Sequence, residues 1–480
     1  MMASITLSAG VRSNLLNLQG TAELKNVVQT RLSTGKKVNS ALDNPTNFFT
    51  ASSLTSRASD LSNLLDGMAN GIQTIQAANN GLTSITTTLQ SMQSTLNQAR
   101  QDKSFQTQSY DIDTVAVGTA AAKNLNLSGG QIGPAGGPGI DVKLQNLMQT
   151  GSASATVTAG TAGDIDVTIG GVTKTVTLAN GDDITAQIGK INTAFGTTVA
   201  TNNGGKIALT DISGTGATVA DHAGNANGTA NAVFGGAPVV SYPPKSVDQL
   251  VSSINANSAL TGKVVASNDN GKLRIQNLST QDMTVKGAGN GKVDGAPAST
   301  STVVGNSVRT SLSKQFNDLR DQITKFGDDA SFNGVNLLRG DNLKLTLNET
   351  GSSFINVQTK DKAGNATAID NAFFNISNTL ASDLDSDASI DARLDIVKDA
   401  LAAIRAVSSS LGSQLSSVQT RKDFTKSMIN TLQVGSDNLT LADTNEEGAN
   451  LLALNTRQSL QTTSLSFASQ ADQAVLQFLK

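Results

Sequence analysis

Two apolar stripes, far apart in the sequence, constrain the fold of this chain most. Toward the N-terminus, apolar residues step by 4, 3, 4 and 3 positions at Leu61, Leu65, Met68, Ile72 and Ile75. The same steps return much later at Ile390, Leu394, Val397, Leu401 and Ile404. A step that alternates 3 and 4 has a period of about 3.5, which favours helices packed lengthwise. A helix from about residue 45 to 100 would be about 80 Å long, so the pattern predicts an antiparallel coiled-coil rod.

Both chain ends carry thinner stripes among Ser, Thr and Asn residues. The N-terminal stripe consists of Leu7, Val11, Leu15, Leu18 and Ala22. The C-terminal one consists of Leu460, Phe467, Ala471, Ala474 and Phe478, with Leu465, Ala468, Val475 and Leu479 alongside. Single helices of such polar composition are marginal in water. We therefore expect both ends to order only when other copies of the chain cover the stripes. The alternative is that the two ends pair within one chain.

Composition and the spacing of apolar residues divide the chain into seven segments. Asn44 can cap a helix and Pro45 suits its first position, which sets one boundary. Another helix is predicted over 308–327, and Lys344–Val357 has the pattern of a β-hairpin. The predicted segments are a terminal helix domain 1–43, a rod helix 44–101, a variable insertion 102–305, a second rod helix with hairpin 306–358, a linker 359–388, a C-terminal rod helix 389–440 and a terminal helix domain 441–480.

The insertion has a different composition, rich in Gly, Thr and Ala with short β-like runs. Alternating apolar residues flank Gly170-Gly171, which indicates a hairpin. The segment 183–211 is repeated at 246–277, and each copy has the pattern of a short helix followed by a hairpin. Two small modules, about 164–211 and 240–290, are therefore expected, joined near Tyr242. The predicted fold class is α+β: a long helical rod with a β-rich insertion domain.

Composition argues against catalysis and against several kinds of partner. There is no cysteine, and His222 is the one histidine, so thiolate metal sites and His-based triads have no residues to form them. No phosphate-binding GxxxxGK[ST] loop is present. A net charge of −3 favours neither nucleic acid nor an anionic membrane, and no stretch is apolar enough to span a bilayer. We expect no enzyme activity, catalytic residue, cofactor or metal. The first residues lack the apolar core of a secretory signal.

Two segments carry a family resemblance. RLSTGKKVNSALDNPTNFFTASS, from residue 31, resembles the N-terminal signature of bacterial flagellins, and NEEGANLLALNTRQ, from residue 445, resembles their C-terminal signature. The resemblance covers roughly 1–100 and 306–480. It places Leu32, Gly35, Asn39 and Asp43 on the loop between terminal and rod domains. It places Asn445, Glu446, Ala449, Asn450 and Leu454 on the C-terminal motif.

The resemblance implies an extracellular structural subunit that polymerises into the helical flagellar filament for swimming motility. Implied partners are other copies of the chain, an export chaperone, the filament cap and the hook–filament junction proteins. The resemblance also implies that the chain is exported unfolded through the flagellar type III channel. The expected subunit interface comprises Leu7, Val11, Leu15, Leu18, Leu32, Gly35, Asn39, Asp43, Asn445, Glu446, Ala449, Asn450, Leu454, Leu465, Phe467, Val475, Phe478 and Leu479.

Three features depart from the usual family pattern. The insertion precedes the helix at 308–327 instead of following the hairpin. Leu89–Gln98 lacks the arginines and glutamate of the innate-immune receptor epitope, so recognition by that receptor is expected to be weak. SALDNPTNFF also differs from the usual run at the plant-receptor epitope. The last two departures resemble the alphaproteobacterial branch. The alternatives are a hook–filament junction protein and a secreted adhesin that uses the insertion for binding.

Overall fold

The computed structural model describes residues 9–134, 137–225 and 227–478. It contains two compact units. The terminal unit comprises residues up to 85, 325–370 and those from 403 onward; the central unit comprises 86–324 and 371–402. The helices are α1 Ala9–Thr34, α2 Pro45–Gln101, α3 Thr114–Val117, α4 Ile184–Phe195, α5 Thr229–Val233, α6 Val247–Asn255, α7 Ser307–Asp329, α8 Asp387–Thr440 and α9 Thr444–Phe478.

The strands belong almost entirely to the central unit. In chain order they are β1 Thr107–Ile112, β2 Asn124–Gly129, β3 Ile140–Lys143, β4 Leu147–Thr150, β5 Gly163–Ile169, β6 Val172–Leu178, β7 Ala200–Asn203, β8 Lys206–Asp211, β9 Ala217–Asp221, β10 Val239–Ser241, β11 Val264–Asp269, β12 Lys272–Asn277, β13 Met283–Lys286, β14 Ala288–Gly289, β15 Lys292–Val293, β16 Thr300–Val303, β17 Leu343–Thr346 and β18 Phe354–Val357. Long helices with a β-rich insertion are the predicted fold class, which is confirmed.

In the terminal unit, α1 and α9 pair antiparallel within one chain. Lys25 Nζ donates to Gln458 Oε1 at 3.1 Å, and Arg31 Nη1 lies 3.2 Å from Glu447 Oε1. The N–H of Ala442 donates to the carbonyl of Gly35 at 2.9 Å, which joins the ends of the two helices. Helices α1 and α9 therefore pair within one chain, which is the alternative that the sequence left open.

The same unit also pairs the first part of α2 with the last part of α8. Ala58 and Leu61 share a buried cluster with Ile429 and Leu432. The two helices run antiparallel: Thr55 Oγ1 lies 3.0 Å from Ser436 Oγ, and the cluster combines residues that follow Thr55 on α2 with residues that precede Ser436 on α8. The hairpin of β17 and β18, predicted over Lys344–Val357, lies beside α2, where Gly71 leaves room for the side chain of Leu345.

The central unit holds two modules with separate apolar cores. The inner module is formed by β1–β3, α6 and β11–β16, and its core includes Tyr110, Leu125 and Leu273. The outer module is formed by β4–β10, α4 and α5, and its core includes Ile165 and Leu209. The sequence predicted modules of about 164–211 and 240–290. The inner module also needs strands from 107–143, because β1 pairs with β12 and β2 with β13.

The two repeats use one asparagine in the same way. Asn192 follows α4's buried Ile191, and its amide bonds both the N–H and the carbonyl of Ala200, at 2.7 and 2.9 Å. Asn255 makes the same pair of bonds with Ala266, each at 2.9 Å. The side chain thus replaces backbone partners between the helix and the first strand of its hairpin.

Several predicted boundaries and environments differ from the structure. Helix α8 begins at Asp387 and not at 389, because Ser386 Oγ accepts from the N–H of Ser389. Segment 359–388 is more than a linker: it contains a 3-10 turn, Ala381–Leu384, and several buried apolar side chains. Their irregular spacing gives no periodic signal. His222 lies between β9 and α5, and its Nδ1 is 2.9 Å from Asp166 Oδ1.

Candidate assembly interface

Helix α1 carries apolar residues on two opposite faces. Val11, Leu18 and Val28 share the face that holds Lys25, which bonds α9, and they are buried or half-buried. Leu16, Leu24 and Val27 lie on the opposite face and are exposed, Leu16 to 68%. At about 100° per residue these three project within a narrow arc. We call them the α1 outer row.

Helix α9 has the same two-sided arrangement. Leu454 and Leu465 are half-buried on the face that holds Glu447 and Gln458, the residues bonded to α1. On the other side, the α9 outer row is an exposed set with heptad-like spacing, in which Phe467 is 66% exposed. The α9 outer row consists of Leu452, Leu460, Phe467, Ala471 and Ala474. Both helices of the pair thus leave an apolar surface uncovered within one chain.

The turn that joins α1 to α2 is closed by one carboxylate. The backbone N–H groups of Asn39 and Ser40 donate to Asp43 Oδ2 at 2.9 and 2.8 Å. These backbone donors, Ser40 first, hold the pKa of Asp43 below its usual range. Asn44 Oδ1 accepts from the N–H of Asn47, which caps α2 where the sequence predicted. The carboxylate of Asp43 therefore fixes the direction in which α2 leaves α1.

At the start of α9, Asp443 caps the helix and Glu447 makes the contact with α1. Asp443 Oδ1 accepts from the N–H groups of Asn445 and Glu446. Glu447 is buried against Arg31, whereas Glu446 is exposed. A carboxylate near a helix N-terminus is also favoured by the helix dipole.

The predicted interface residues fall into three groups. Val11, Leu18, Leu454 and Leu465 face the partner helix within the chain. Those that are exposed are Leu15, Leu32, Asp43, Asn445, Glu446, Ala449, Asn450 and Phe467, while Gly35 and Asn39 are half-buried in the turn. Leu7 and Leu479 lie outside the described residues, as do the side chains of Val475 and Phe478.

Sequence reasoning missed the α1 outer row. Its members step by 8 and 3 positions, from Leu16 to Leu24 to Val27, and this spacing was a usable signal for a second apolar face. Leu452 of the α9 outer row and the contact residue Glu447 were missed as well. On a helix with apolar residues around more than half of its circumference, periodicity alone does not say which face a partner helix takes.

The part of the chain that the structure describes has neither a metal site nor a membrane-spanning helix. Among the described residues, no group of three or more His, Cys, Asp or Glu side chains is placed to hold a metal ion. No described helix is both long enough and apolar enough to cross a membrane.

Comparison with known proteins gives the same two regions. The model of the bacterial flagellin N-terminal helical region matches residues 6–115, and the model of the C-terminal helical region matches 394–479. Flagellin FljK of Caulobacter vibrioides is 30% identical over 188 residues, which are 38% of this chain and 65% of FljK. Flagellin FljM of the same organism is 28% identical with the same coverage.

A flagellin of Brucella melitensis is 25% identical over 164 residues, 32% of this chain and 55% of that protein. The chain thus spans just under two thirds of the length of the Caulobacter relatives, and 65% of FljK is matched. Family models at both ends, in the order that the sequence predicted, and flagellins of Caulobacter vibrioides and Brucella melitensis among the relatives support a bacterial flagellin of the alphaproteobacterial type.

Proposed function

We propose that this chain is the structural subunit of an extracellular flagellar filament that drives swimming, built by polymerisation of the chain with itself. The observation that carries the proposal is the pair of outer rows on α1 and α9. They lie on the faces that α1 and α9 turn away from each other, so each row needs a further copy to cover it. Contacts between different patches of successive copies produce an open helical polymer when the rotation does not close.

The free energy for such assembly comes from apolar burial. Covering one exposed leucine or phenylalanine contributes about 1.5–3 kcal/mol before ordering costs are subtracted. The outer rows contain several such side chains, including Leu16, Leu24, Leu460 and Phe467. Few charged residues lie on the second half of α9, so little charge must be desolvated there.

Export and the partner proteins complete the proposal. The chain travels unfolded through the flagellar type III channel with an export chaperone, joins the growing end beneath the filament cap, and the first subunits bind the hook–filament junction proteins. The interface residues outside the outer rows, including Leu32, Asn39, Asn450 and the residues near both chain ends, contact neighbouring copies in the polymer. The chain has no catalytic role.

Seeded growth tests the polymer directly. Purified full-length chain is mixed with sheared filament fragments and scored by electron microscopy beside two variants. One lacks 450–480; the other has 147–241 replaced by a short Gly-Ser linker. We expect long filaments from the full chain and from the linker variant, and none from the truncated chain. Growth by the truncated chain would refute the proposal, and failure of the full chain would favour a junction protein or an adhesin.

The boundaries of the linker variant matter. A wider deletion, of residues 130–300, is unsuitable for this test. That cut would leave β1 and β2 without the strands that they pair with and would expose Tyr110 and Leu125. Replacement of 147–241 keeps the inner module complete, because the N–H of Asn146 donates to the carbonyl of Pro243 at 2.9 Å.

Weak recognition by the innate-immune flagellin receptor is part of the same proposal. On α2 the apolar residues Leu89, Met92 and Leu96 are buried, and the exposed positions between them are uncharged Gln and Ser residues. No charged group of this segment is available for ion pairing with a receptor. A receptor reporter assay with the full chain is expected to give a weak response, and a strong response would overturn this part.

A further inference from the structure

A cavity of about 750 Å³ lies between the inner and outer modules of the central unit. One wall is formed by the side of α6 and by Val142 and Lys143 of β3; the opposite wall is formed by Ile212 and Ser213, just after β8. Its volume is in the range of sites that enclose small organic molecules. No part of the filament proposal uses this cavity.

A buried lysine lines this cavity. Lys245 has 4% of its surface exposed, and its Nζ donates to Ser253 Oγ at 3.1 Å. Within the part of the chain that the structure describes, no carboxylate forms an ion pair with it. An ammonium that is buried without a counter-ion is costly, because the lost hydration is not replaced. Burial, and then the charge of Lys143, lower the pKa of Lys245, while Asp211 opposes them.

The neighbouring carboxylates are already engaged by other groups. Asp211 accepts from the N–H groups of Ser213 and Gly216 at 2.8 and 2.7 Å. Asp248 accepts from the amide of Asn268, and Asp141 from that of Asn126, each at 2.7 Å. These carboxylates are therefore bonded by other groups, and the hydrogen-bond partner of the Lys245 ammonium is the neutral hydroxyl of Ser253.

The remaining groups define the chemistry of a ligand. Lys143, which donates to the carbonyl of Gly214 at 2.9 Å, adds a second cation to the wall. Asp141 and Asp248 also line the cavity and repel anions, a doubly charged ligand about twice as strongly as a monocarboxylate. Val142, Ile212 and Ala256 provide apolar contact. We propose that this cavity binds a small organic molecule with one carboxylate and an apolar body, with the carboxylate on Lys245.

The test is calorimetric titration of the full-length chain with octanoate, octanamide and octyl phosphate. We expect octanoate to bind, octanamide to bind at least about tenfold more weakly because it lacks the charge, and octyl phosphate to bind more weakly than octanoate because of its second charge. No binding of octanoate would overturn the proposal. Tighter binding of octyl phosphate would overturn the assignment to a single carboxylate.

Three variants locate the binding. Lys245→Met removes the charge at similar volume, and we expect octanoate affinity to fall about 10- to 100-fold. Lys263→Met, a half-buried lysine of the same module that does not line the cavity, should bind octanoate like the unaltered chain. Ile212→Glu places a negative charge at the exposed wall and should also weaken octanoate binding. This variant provides the test if Lys245→Met does not fold. Unchanged affinity in either cavity variant would refute the site.

Discussion

The central and terminal units place their apolar residues differently. In the central unit the two module cores enclose their large side chains, and Ile165 and Leu273 have no exposed surface. In the terminal unit α1 and α9 cover one face of each other and leave Leu24 and Leu460 exposed. A core that is closed within one chain needs no neighbour, whereas an uncovered apolar row marks an interaction surface. The comparison indicates that the cores of the central unit are closed by its own side chains, whereas α1 and α9 of the terminal unit leave two apolar rows free for an interaction.

The largest expected effect on stability comes from Arg309, a buried arginine that bonds three backbone carbonyls of the central unit. Arg309, 1% exposed, donates to the carbonyls of Leu384, Asp385 and Asp102 at 2.7, 2.9 and 3.0 Å. It also lies 3.3 Å from Asp387 Oδ1. Arg309→Met leaves these three carbonyls without this donor, although Asp387 keeps its ion pair with Lys103, so we expect a loss of about 3–5 kcal/mol in the free energy of unfolding. Urea unfolding followed by circular dichroism measures it.

The control for this substitution is Arg320→Met. Arg320 pairs with the adjacent Asp321 at the surface, and its loss should cost less than about 1 kcal/mol. Equal effects of the two substitutions would mean that the buried arginine does not hold the central unit together.

The second prediction separates assembly from stability in the terminal unit. Leu460→Ser combined with Phe467→Ser removes apolar surface that is uncovered in one chain. We expect seeded filament growth to slow by at least about 100-fold, while the free energy of unfolding of the monomer changes by less than about 0.5 kcal/mol. Growth is followed by light scattering and monomer stability by urea unfolding.

A matched pair in the central unit sharpens this result. Val239 and Val240 are also exposed, on the edge strand β10. Replacing both by serine should leave filament growth unchanged. If this pair slowed growth as much as the α9 pair, the contrast between the two units would be lost.

The third prediction concerns the repeated asparagines. Asn192→Ala and Asn255→Ala each leave a backbone N–H and a carbonyl without their partner, so we expect each to cost about 1–2 kcal/mol in local stability. Hydrogen–deuterium exchange should rise over 184–211 in the first variant and over 247–277 in the second. Ser267→Ala, an exposed neighbour on β11, is the control. A rise in both segments from one substitution would show that the modules do not unfold separately.

The smallest expected effect is a pH dependence within the central unit. Burial raises the pKa of Asp385, although the N–H of Thr280 and the hydroxyl of Ser279 bond its carboxylate. A group whose pKa is raised by folding stabilises the fold in its protonated form, so its contribution is lost as the pH rises through the folded-state pKa. Asp385→Asn should therefore gain stability relative to the unaltered chain between pH 4 and pH 7. A constant difference over that range would contradict the assignment.

Local sequence signals predicted the elements well and their long-range partners poorly. Asn44 and Pro45 predicted the start of α2, and the glycines at 170 and 171 the turn between β5 and β6. The inner module was only half predicted, since the pairing of Tyr110 with Leu273 joins strands that are distant in the sequence. No local pattern carries information about such a pairing.

The subunit interface stays a prediction, and the structure gives only the exposure of its residues within one chain. The stripe through Leu460 and Phe467 was recognised from its spacing, and both residues are exposed. Val11 was placed in the same interface but is buried within the chain. Glu446, which was selected, is exposed, while the adjacent Glu447 contacts α1 within the chain. Which side of a helix turns inward is decided by the partner helix, and a single sequence does not contain that geometry.

The adjacent strands that lead into and out of the outer module have an evolutionary consequence. At Asn146 and Pro243 the chain leaves the inner module and returns to it side by side. Any domain whose two ends lie close together could be substituted there without disturbing the residues that precede or follow it. If the chain is the filament subunit proposed above, a lineage can therefore exchange its outer module by recombination at one point, while selection for assembly continues to act on the rest of the gene.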